Sequence, residues 1–336
     1  MKSYLAFLFI AIAVLMSSCE KVFFEEELES TSPSDNFEYL WNQCNEKYSY
    51  FGVKNIDWNV IRAKYEAQIY EGMSEDSLFN TLGSMLNELK DDHTNLISNF
   101  NVSSFRVRFY GPDNFDWRII ENNYIGRDYF SSGPFRHNFI HQGEVGYIRF
   151  ASFTGTVDDK NLDYIINKYI NTKGLILDIR ENGGGSVSDL YSILSRFVDV
   201  ETTLFYSRIK TGPGRSDFSE PEPSKVEPYD GPRYKNKVMV LVDRGTYSAG
   251  SFTSLATKAL PNVMLVGDTT GGGLGVPNGG QLPNGWTYRF SVSQAMTLDF
   301  NPDYENGVPP DVFVRTDLSD RTKDDVIDRA ILEINQ

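Results

Sequence analysis

The sequence predicts an α/β fold preceded by a small helical bundle, and three observations carry that prediction. Continuous apolar runs recur at Gly174–Ile179, Val238–Val242 and Val263–Val266. Runs of this kind, without polar alternation, mark strands buried on both faces of a parallel sheet. Helical patterns separate them, over 162–169, 187–198 and 248–260, which gives strand–helix–strand order with right-handed crossovers. Between residues 36 and 97 the apolar residues instead repeat at helical spacing.

Each part can be justified in chain order. Met1-Lys2 leads into an apolar run from Tyr4 to Met16 and then Ser17-Ser18-Cys19. One positive charge, a run of roughly a dozen residues and small residues before a cysteine make an export signal, too short to span a bilayer. The pattern places the signal peptide at 1–18 and resembles a bacterial lipobox, with Cys19 as the lipidated residue. Residues 19–35, acidic and then rich in Ser, Thr and Pro, cannot bury a core and read as a flexible tether.

The helical portion spans 36–97. Its first helix carries Phe37, Leu40, Trp41, Cys44 and Tyr48. The second starts behind the cap Asp57 with Trp58, Ile61, Tyr65 and Ile69. The third opens at Ser74 with Leu78, Leu82, Met85, Leu86 and Leu89. Cys44 falls on an apolar stripe and reads as a small buried hydrophobe. With Cys19 acylated, no disulfide forms within the chain. Residues 98–143 are aromatic, punctuated by Gly111-Pro112 and Gly133-Pro134, and read as a β-rich connecting segment. The α/β core occupies 144–336. The Pro- and Gly-rich stretch 212–232 reads as a surface excursion or a flap.

A net charge of −14 excludes nucleic acid as a partner and disfavours docking of the folded surface on anionic lipid. Of the three histidines, His93, His137 and His141, the last two have no cysteine or carboxylate cluster beside them to make a metal site, and neither a metal nor a cofactor is expected. His137 and His141 read as surface or packing residues.

Two strands end at chemistry-bearing sequences. Gly174-Leu-Ile-Leu-Asp178-Ile-Arg180-Glu-Asn182 runs into Gly183-Gly184-Gly185, where backbone can approach a ligand and aim amides at it. Val242-Asp243-Arg244-Gly245-Thr246-Tyr247 is followed by Ser248 at a helix start, a position that suits an N-cap or a nucleophile. A serine nucleophile needs a base with a near-neutral pKa, and Asp92-His93-Thr94 supplies one at the polar end of the third helix.

Taken together, these segments resemble the S41 serine peptidases, the tail-specific and tricorn-core-like proteases. Leu89–Thr94, Gly174–Gly185, Tyr247-Ser248-Ala249, Gly267–Gly273, Leu282–Gly285 and Glu305–Val312 occur in the family's order over about 36–333, with 98–143 unaligned. The resemblance implies a ClpP/crotonase-like core. It also implies Ser248 as nucleophile and an oxyanion hole from the amides of Ala249 and of Gly184 or Gly185. The 98–143 segment is too short for the PDZ domain that many members carry, so none is expected.

The family's Ser–Lys dyad has no counterpart, because Gly273 stands at the lysine's position. Lys258, ten residues along a helix from Ser248, lies about 15 Å away at 1.5 Å per residue. The base is therefore His93, as in the tricorn-core-like branch. That branch completes the site with a glutamate, matched by Glu305, through a serine before the histidine, where this chain has Asp92. Either Asp92 or Glu305, the latter directly or through water, is left to orient the imidazole. The function implied is a lipid-anchored envelope peptidase acting on protein or peptide substrates, with a non-catalytic ligand-binding domain of the same fold as the alternative. A crotonase-type enzyme using CoA conflicts with the export signal.

Overall fold

The computed structural model describes residues 29–336. The export signal at 1–18, Cys19 and most of the segment read as a tether lie outside the described residues. The first helix, α1 (Pro33–Lys47), starts inside that segment. Ser32 caps it by accepting from the Asp35 amide, and the Ser30 amide donates to the Pro283 carbonyl at 3.1 Å. A cap and a contact with the distant core order these residues, which composition alone had suggested were loose.

Helices α2 (Trp58–Glu66) and α3 (Glu75–Asn87) begin at the expected caps, Asp57 and Ser74. Their buried faces, with Phe37, Trp41, Cys44, Trp58 and Leu82, form one cluster that also takes in Trp286, Tyr288 and Phe290 from the far end of the chain. Strands β1 (Asn95–Ile97) and β2 (Val102–Ser104) follow.

Residues 98–143 are less β-rich than expected. They hold β2, a 3-10 turn at Val107–Tyr110, and a helical stretch, Trp117–Ile120, running on into Glu121–Ile125. Strands β3 (Phe130–Ser132) and β4 (Phe135–Ile140) come next. These two join the main sheet, so the segment is an extension of the core. The Gly133-Pro134 turn, with Gly133 at φ +58°, reverses the chain between them.

The core runs β5 (Val145–Phe150), α4 (Asp159–Tyr169), β6 (Gly174–Asp178), α5 (Ser188–Leu194), β7 (Thr202–Ile209), β8 (Glu222–Val226), β9 (Lys237–Val242), α6 (Ala249–Thr257) and β10 (Val263–Gly267). It ends with β11 (Pro277–Gln281), β12 (Thr287–Ser291), β13 (Ser293–Met296), β14 (Val312–Phe313) and α7 (Asp325–Asn335). The main sheet has the order β14-β10-β9-β6-β5-β4-β3, parallel from β14 to β5 and antiparallel beyond.

Period-two alternation explains why the strands looked apolar throughout. Leu175 and Leu177 of β6 and Val238 and Val240 of β9 face α4, α5 and α6. Ile176, Met239 and Leu241 face α7 on the other side.

Two smaller antiparallel sheets complete the fold. The order β11-β12-β1-β2 mixes strands from both ends of the chain and mounts the helical bundle on the core. In β13-β7-β8 the stretch read as a flap contributes β8 and is a paired strand.

Candidate active site

The strands β6 and β9 end side by side, and both chain reversals beyond them are pinned by one carboxylate. Asp243 Oδ1 accepts the amides of Glu181 (2.8 Å) and Thr246 (3.1 Å). Asn182 then ties the glycine run to this frame: its Nδ2 donates to the Phe150 carbonyl, its Oδ1 accepts the Gly184 amide, and its carbonyl accepts the Tyr247 amide. Asp178 and Arg180, from the same motif, are structural. Arg180 is wholly buried and pairs with Asp178 and Asp324. Such a pair must stay intact, because a lone charge there would be left without solvent.

Ser248 stands at the junction of β9 and α6 with φ +53° and ψ −121°. That conformation is unfavourable for a residue with a side chain and costs on the order of 1–3 kcal/mol. The Ser248 amide donates to the Gly272 carbonyl at 3.0 Å, which helps hold the turn. Gly184 (φ +96°) packs directly against it: a Cβ there would come within 2.7 Å of the Ser248 Cβ and 3.0 Å of the Ala249 nitrogen. The Gly184 amide is engaged by Asn182, so of the two glycines expected at the oxyanion hole only Gly185 retains a free N–H. Among the described residues the amides of Ala249, Gly183 and Gly185 have no protein acceptor. Ala249 opens α6, where the helix dipole favours negative charge, and Gly183 and Gly185 line the same cleft.

His93 reaches this point from the helical portion of the chain. Its Nε2 lies 2.9 Å from Ser248 Oγ, and its ring packs edge-on against Tyr247 with centroids 5.0 Å apart. Burial is the main influence on the imidazole and holds its pKa below the usual histidine value, against the opposing charge of Asp91. The ring is therefore neutral near pH 7, as a proton acceptor must be. Its Nδ1 is buried and has no hydrogen-bond partner, although the neighbouring Gly275 backbone favours a proton there.

Neither carboxylate expected to orient the imidazole bonds to it. Asp92 lines the cleft, but its carboxylate accepts the Val107 amide at 3.3 Å. Glu305 is buried, accepts the Leu274 amide at 2.6 Å and lies 3.5 Å from Lys54 Nζ. Burial pushes its pKa up to about 8, outweighing the Lys54 charge.

The carboxylate that does engage the histidine segment is Asp91. Its Oδ1 accepts the His93 amide (2.9 Å) and the Tyr247 hydroxyl (3.0 Å), and its Oδ2 accepts the Ser291 hydroxyl (2.8 Å). Asp91 belongs to a motif visible in the sequence, and an aspartate two residues before an exposed amide is the signature of an Asx turn. Nothing in the sequence pointed to Ser291 or Lys54.

Gly273 explains the missing lysine. A Cβ at this position would come within 2.3 Å of the Tyr247 ring, so Tyr247 fills the space a dyad lysine would need. Lys258 instead bonds Asp311 at 2.8 Å. His137 is a packing residue: it is buried between the Ser132 and Tyr169 hydroxyls, and burial lowers its pKa to about 4. Among the described residues no group of three or more His, Cys, Asp or Glu could hold a metal ion.

The cleft over the serine has a volume of ≈ 590 Å³. Val187, Phe252 and Val276 form part of its wall, and Arg108, Arg244 and Arg289 stand along its lining. A concave site of this size, with a serine, a neutral imidazole and free amides converging in it, defines the serine hydrolase class.

Residues 144–314, about half of the chain, match peptidase family S41, and residues 30–87 match the tricorn protease C1 domain. The chain belongs to peptidase family S41. It is 37% identical to a putative peptidase from Parabacteroides merdae whose crystal structure superposes with a TM-score of 0.87, covering 91% of this chain and 98% of that one. It is 28% identical over 180 residues to the carboxy-terminal processing protease CtpA of Bacillus subtilis, covering 53% of this chain. The match to CtpA spans 36% of that protein, and the match to CtpB of the same organism spans 34%, so the chain corresponds to about a third of these curated relatives. A lipoprotein from Streptococcus agalactiae, 16% identical with a TM-score of 0.57 over 93% of this chain and 99% of that one, shares the fold.

Proposed function

We propose that the protein is a serine peptidase of the bacterial cell envelope that hydrolyses protein or peptide substrates through an acyl-enzyme on Ser248, with His93 as general base. The observation that carries this reading is the 2.9 Å approach of His93 Nε2 to Ser248 Oγ, made between residues 155 positions apart. His93 removes the serine proton as Oγ bonds to the substrate carbonyl carbon. The carbonyl oxygen takes up the negative charge in front of the Ala249 and Gly185 amides, each such donor contributing about 3 kcal/mol. The tetrahedral adduct collapses, the C–N bond breaks, and His93 gives its proton to the departing amine. Water, activated by the same imidazole, then releases the acyl group.

Membership of a peptidase family supports the peptidase reading, as does the similarity to carboxy-terminal processing proteases. The export signal and lipobox at Cys19 support an envelope location with a lipid anchor. Among the described residues no helix is long and apolar enough to cross a membrane.

The test is turnover of unfolded protein and peptide libraries by the S248A and H93A variants. Both should fold and lose activity, and wild-type cleavage by either would remove that residue from its assigned role. Acylation is tested separately by the C19A variant, which should leave the membrane fraction. A variant that stays there as the wild type does would remove the anchor.

A further inference from the structure

We propose that Asp91 is the positioning residue of this site: it sets His93 in register with Ser248 and offsets the positive charge that the imidazole acquires during turnover. The proposal rests on Ser248 and His93 acting as nucleophile and base.

One oxygen, Asp91 Oδ1, accepts both the His93 amide and the Tyr247 hydroxyl. Tyr247 is the residue immediately before Ser248, so a single carboxylate oxygen links the segment that carries the base to the segment that carries the nucleophile. Oδ2 is held by the Ser291 hydroxyl from β12, and the Asp91 carbonyl accepts the Thr94 amide at 3.0 Å, which closes the turn with His93 inside it. On the other side of the histidine, Arg289 Nε donates to the His93 carbonyl at 3.3 Å. The His93 backbone is thus held at both its N–H and its C=O.

No other carboxylate takes this place. The imidazole Nδ1 has no hydrogen-bond partner, so a carboxylate at Nδ1 does not set the ring. Asp92 and Glu305 are engaged elsewhere. The ring's orientation comes instead from its fixed backbone, from Tyr247, against which it packs, and from the Gly275 backbone that favours a proton on the ring.

Burial is the largest influence on the ring and disfavours the imidazolium, as do Arg289 and Lys54, while Asp91 and the Gly275 backbone favour it. Asp92, the next residue, lies in the same cleft, and Glu305, whose pKa of about 8 keeps it protonated at neutrality, lies 3.5 Å from Lys54 Nζ. Burial is the largest influence on Asp91 and pushes its own pKa up. Lys54, the His93 ring and amide and the Ser291 hydroxyl outweigh it, so the carboxyl stays ionised below its ordinary value. It therefore supplies a fixed negative charge through the whole working range.

The experiment is the kcat/KM pH profile of Asp91→Asn. Asparagine can accept the same two hydrogen bonds through Oδ1 but carries no charge. The acid limb, which reports the His93 pKa, should move to lower pH, because the neutral imidazole no longer has an anion favouring its protonation. The maximal kcat should fall as well, because the imidazolium formed during turnover loses the anion that offsets its charge while the geometry is kept.

A purely structural role predicts reduced stability with the limb unmoved, and that result overturns the proposal. Tyr247→Phe is the second variant. It keeps the charge and the bond from the His93 amide to Asp91, but removes the hydroxyl that joins both Asp91 and the His93 amide (3.2 Å) to the nucleophile segment, so kcat should fall with the acid limb in place. Wild-type kcat in Tyr247→Phe overturns the linkage even where Asp91→Asn does not fold. Loss of the parent reading has a different signature, namely cleavage that survives S248A or H93A.

Discussion

Adding one methyl group at Gly184 is expected to disable the site while leaving most of the fold intact. Gly184 has φ +96°, and its missing Cβ would sit 2.7 Å from the Ser248 Cβ, 2.9 Å from the Tyr247 carbonyl oxygen and 3.0 Å from the Ala249 nitrogen. Two of the three contacts are backbone, so no flexible side-chain tip can move aside. The left-handed conformation costs an alanine about 1–2 kcal/mol, and overpacking of a close-packed position adds about 1–3 kcal/mol. The sum, roughly 2–5 kcal/mol, is within what a folded domain of 5–15 kcal/mol can lose. The chemistry is less tolerant. A shift of about 1 Å in Oγ lowers the rate on the order of 10²-fold, and crowding the Ala249 amide weakens an oxyanion donor worth about 10²–10³ in kcat. G184A should therefore show a lowered Tm, a cooperative transition, and a kcat/KM on a peptide substrate reduced by about 10² or more. Wild-type turnover in a stably folded G184A protein would refute the packing argument.

Two further outcomes follow from the buried titratable groups. Burial holds the His93 pKa below the 6.5 usual for histidine, so activity should rise with pH along an acid limb below that value. A kcat/KM profile whose acid limb lies above 6.5 would contradict the buried neutral base. Glu305, raised from 4.5 to about 8, keeps its proton in the folded state while the unfolded chain loses it. The stabilisation it contributes is complete below about pH 4.5 and disappears as pH rises through about 8. E305Q mimics the protonated form and should flatten that decline, so its melting temperature should exceed that of the wild type at about pH 9 and match it at about pH 5. Parallel curves for the two proteins would show that Glu305 is not a buried neutral acid.

Much of this was legible in the residues because local chemistry and tertiary role agree. Apolar runs at 174–179 and 238–242 can only be strands covered on both faces, and they are. The caps Asp57 and Ser74 announced their helices. Ser248, His93 and the glycine run stood out through the colinear resemblance to the S41 peptidases, since a serine at a helix start and a glycine turn by themselves equally suit a cap and a plain reversal.

Long-range pairing was harder to read. The sheet β11-β12-β1-β2 joins residues 95–104 to 277–291, and no periodicity reports which distant strands will meet. For the same reason the positioning carboxylate was sought at Asp92, one residue from the histidine, and at Glu305. Asp92 turns to the Val107 amide, while Asp91, its neighbour on the buried side, meets Tyr247 and Ser291 only once both halves have folded together. Gly184 looked equivalent to Gly185 as an amide donor until Asn182 was seen to occupy it.

The account turns on an activated serine, and covalent labelling reads that directly. Intact protein treated with a fluorophosphonate probe and digested for mass spectrometry should carry the adduct on Ser248, with H93A labelled far more slowly. A folded wild-type protein that stays unmodified at Ser248 would contradict the assignment of a nucleophile and leave a ligand-binding domain built on a peptidase fold.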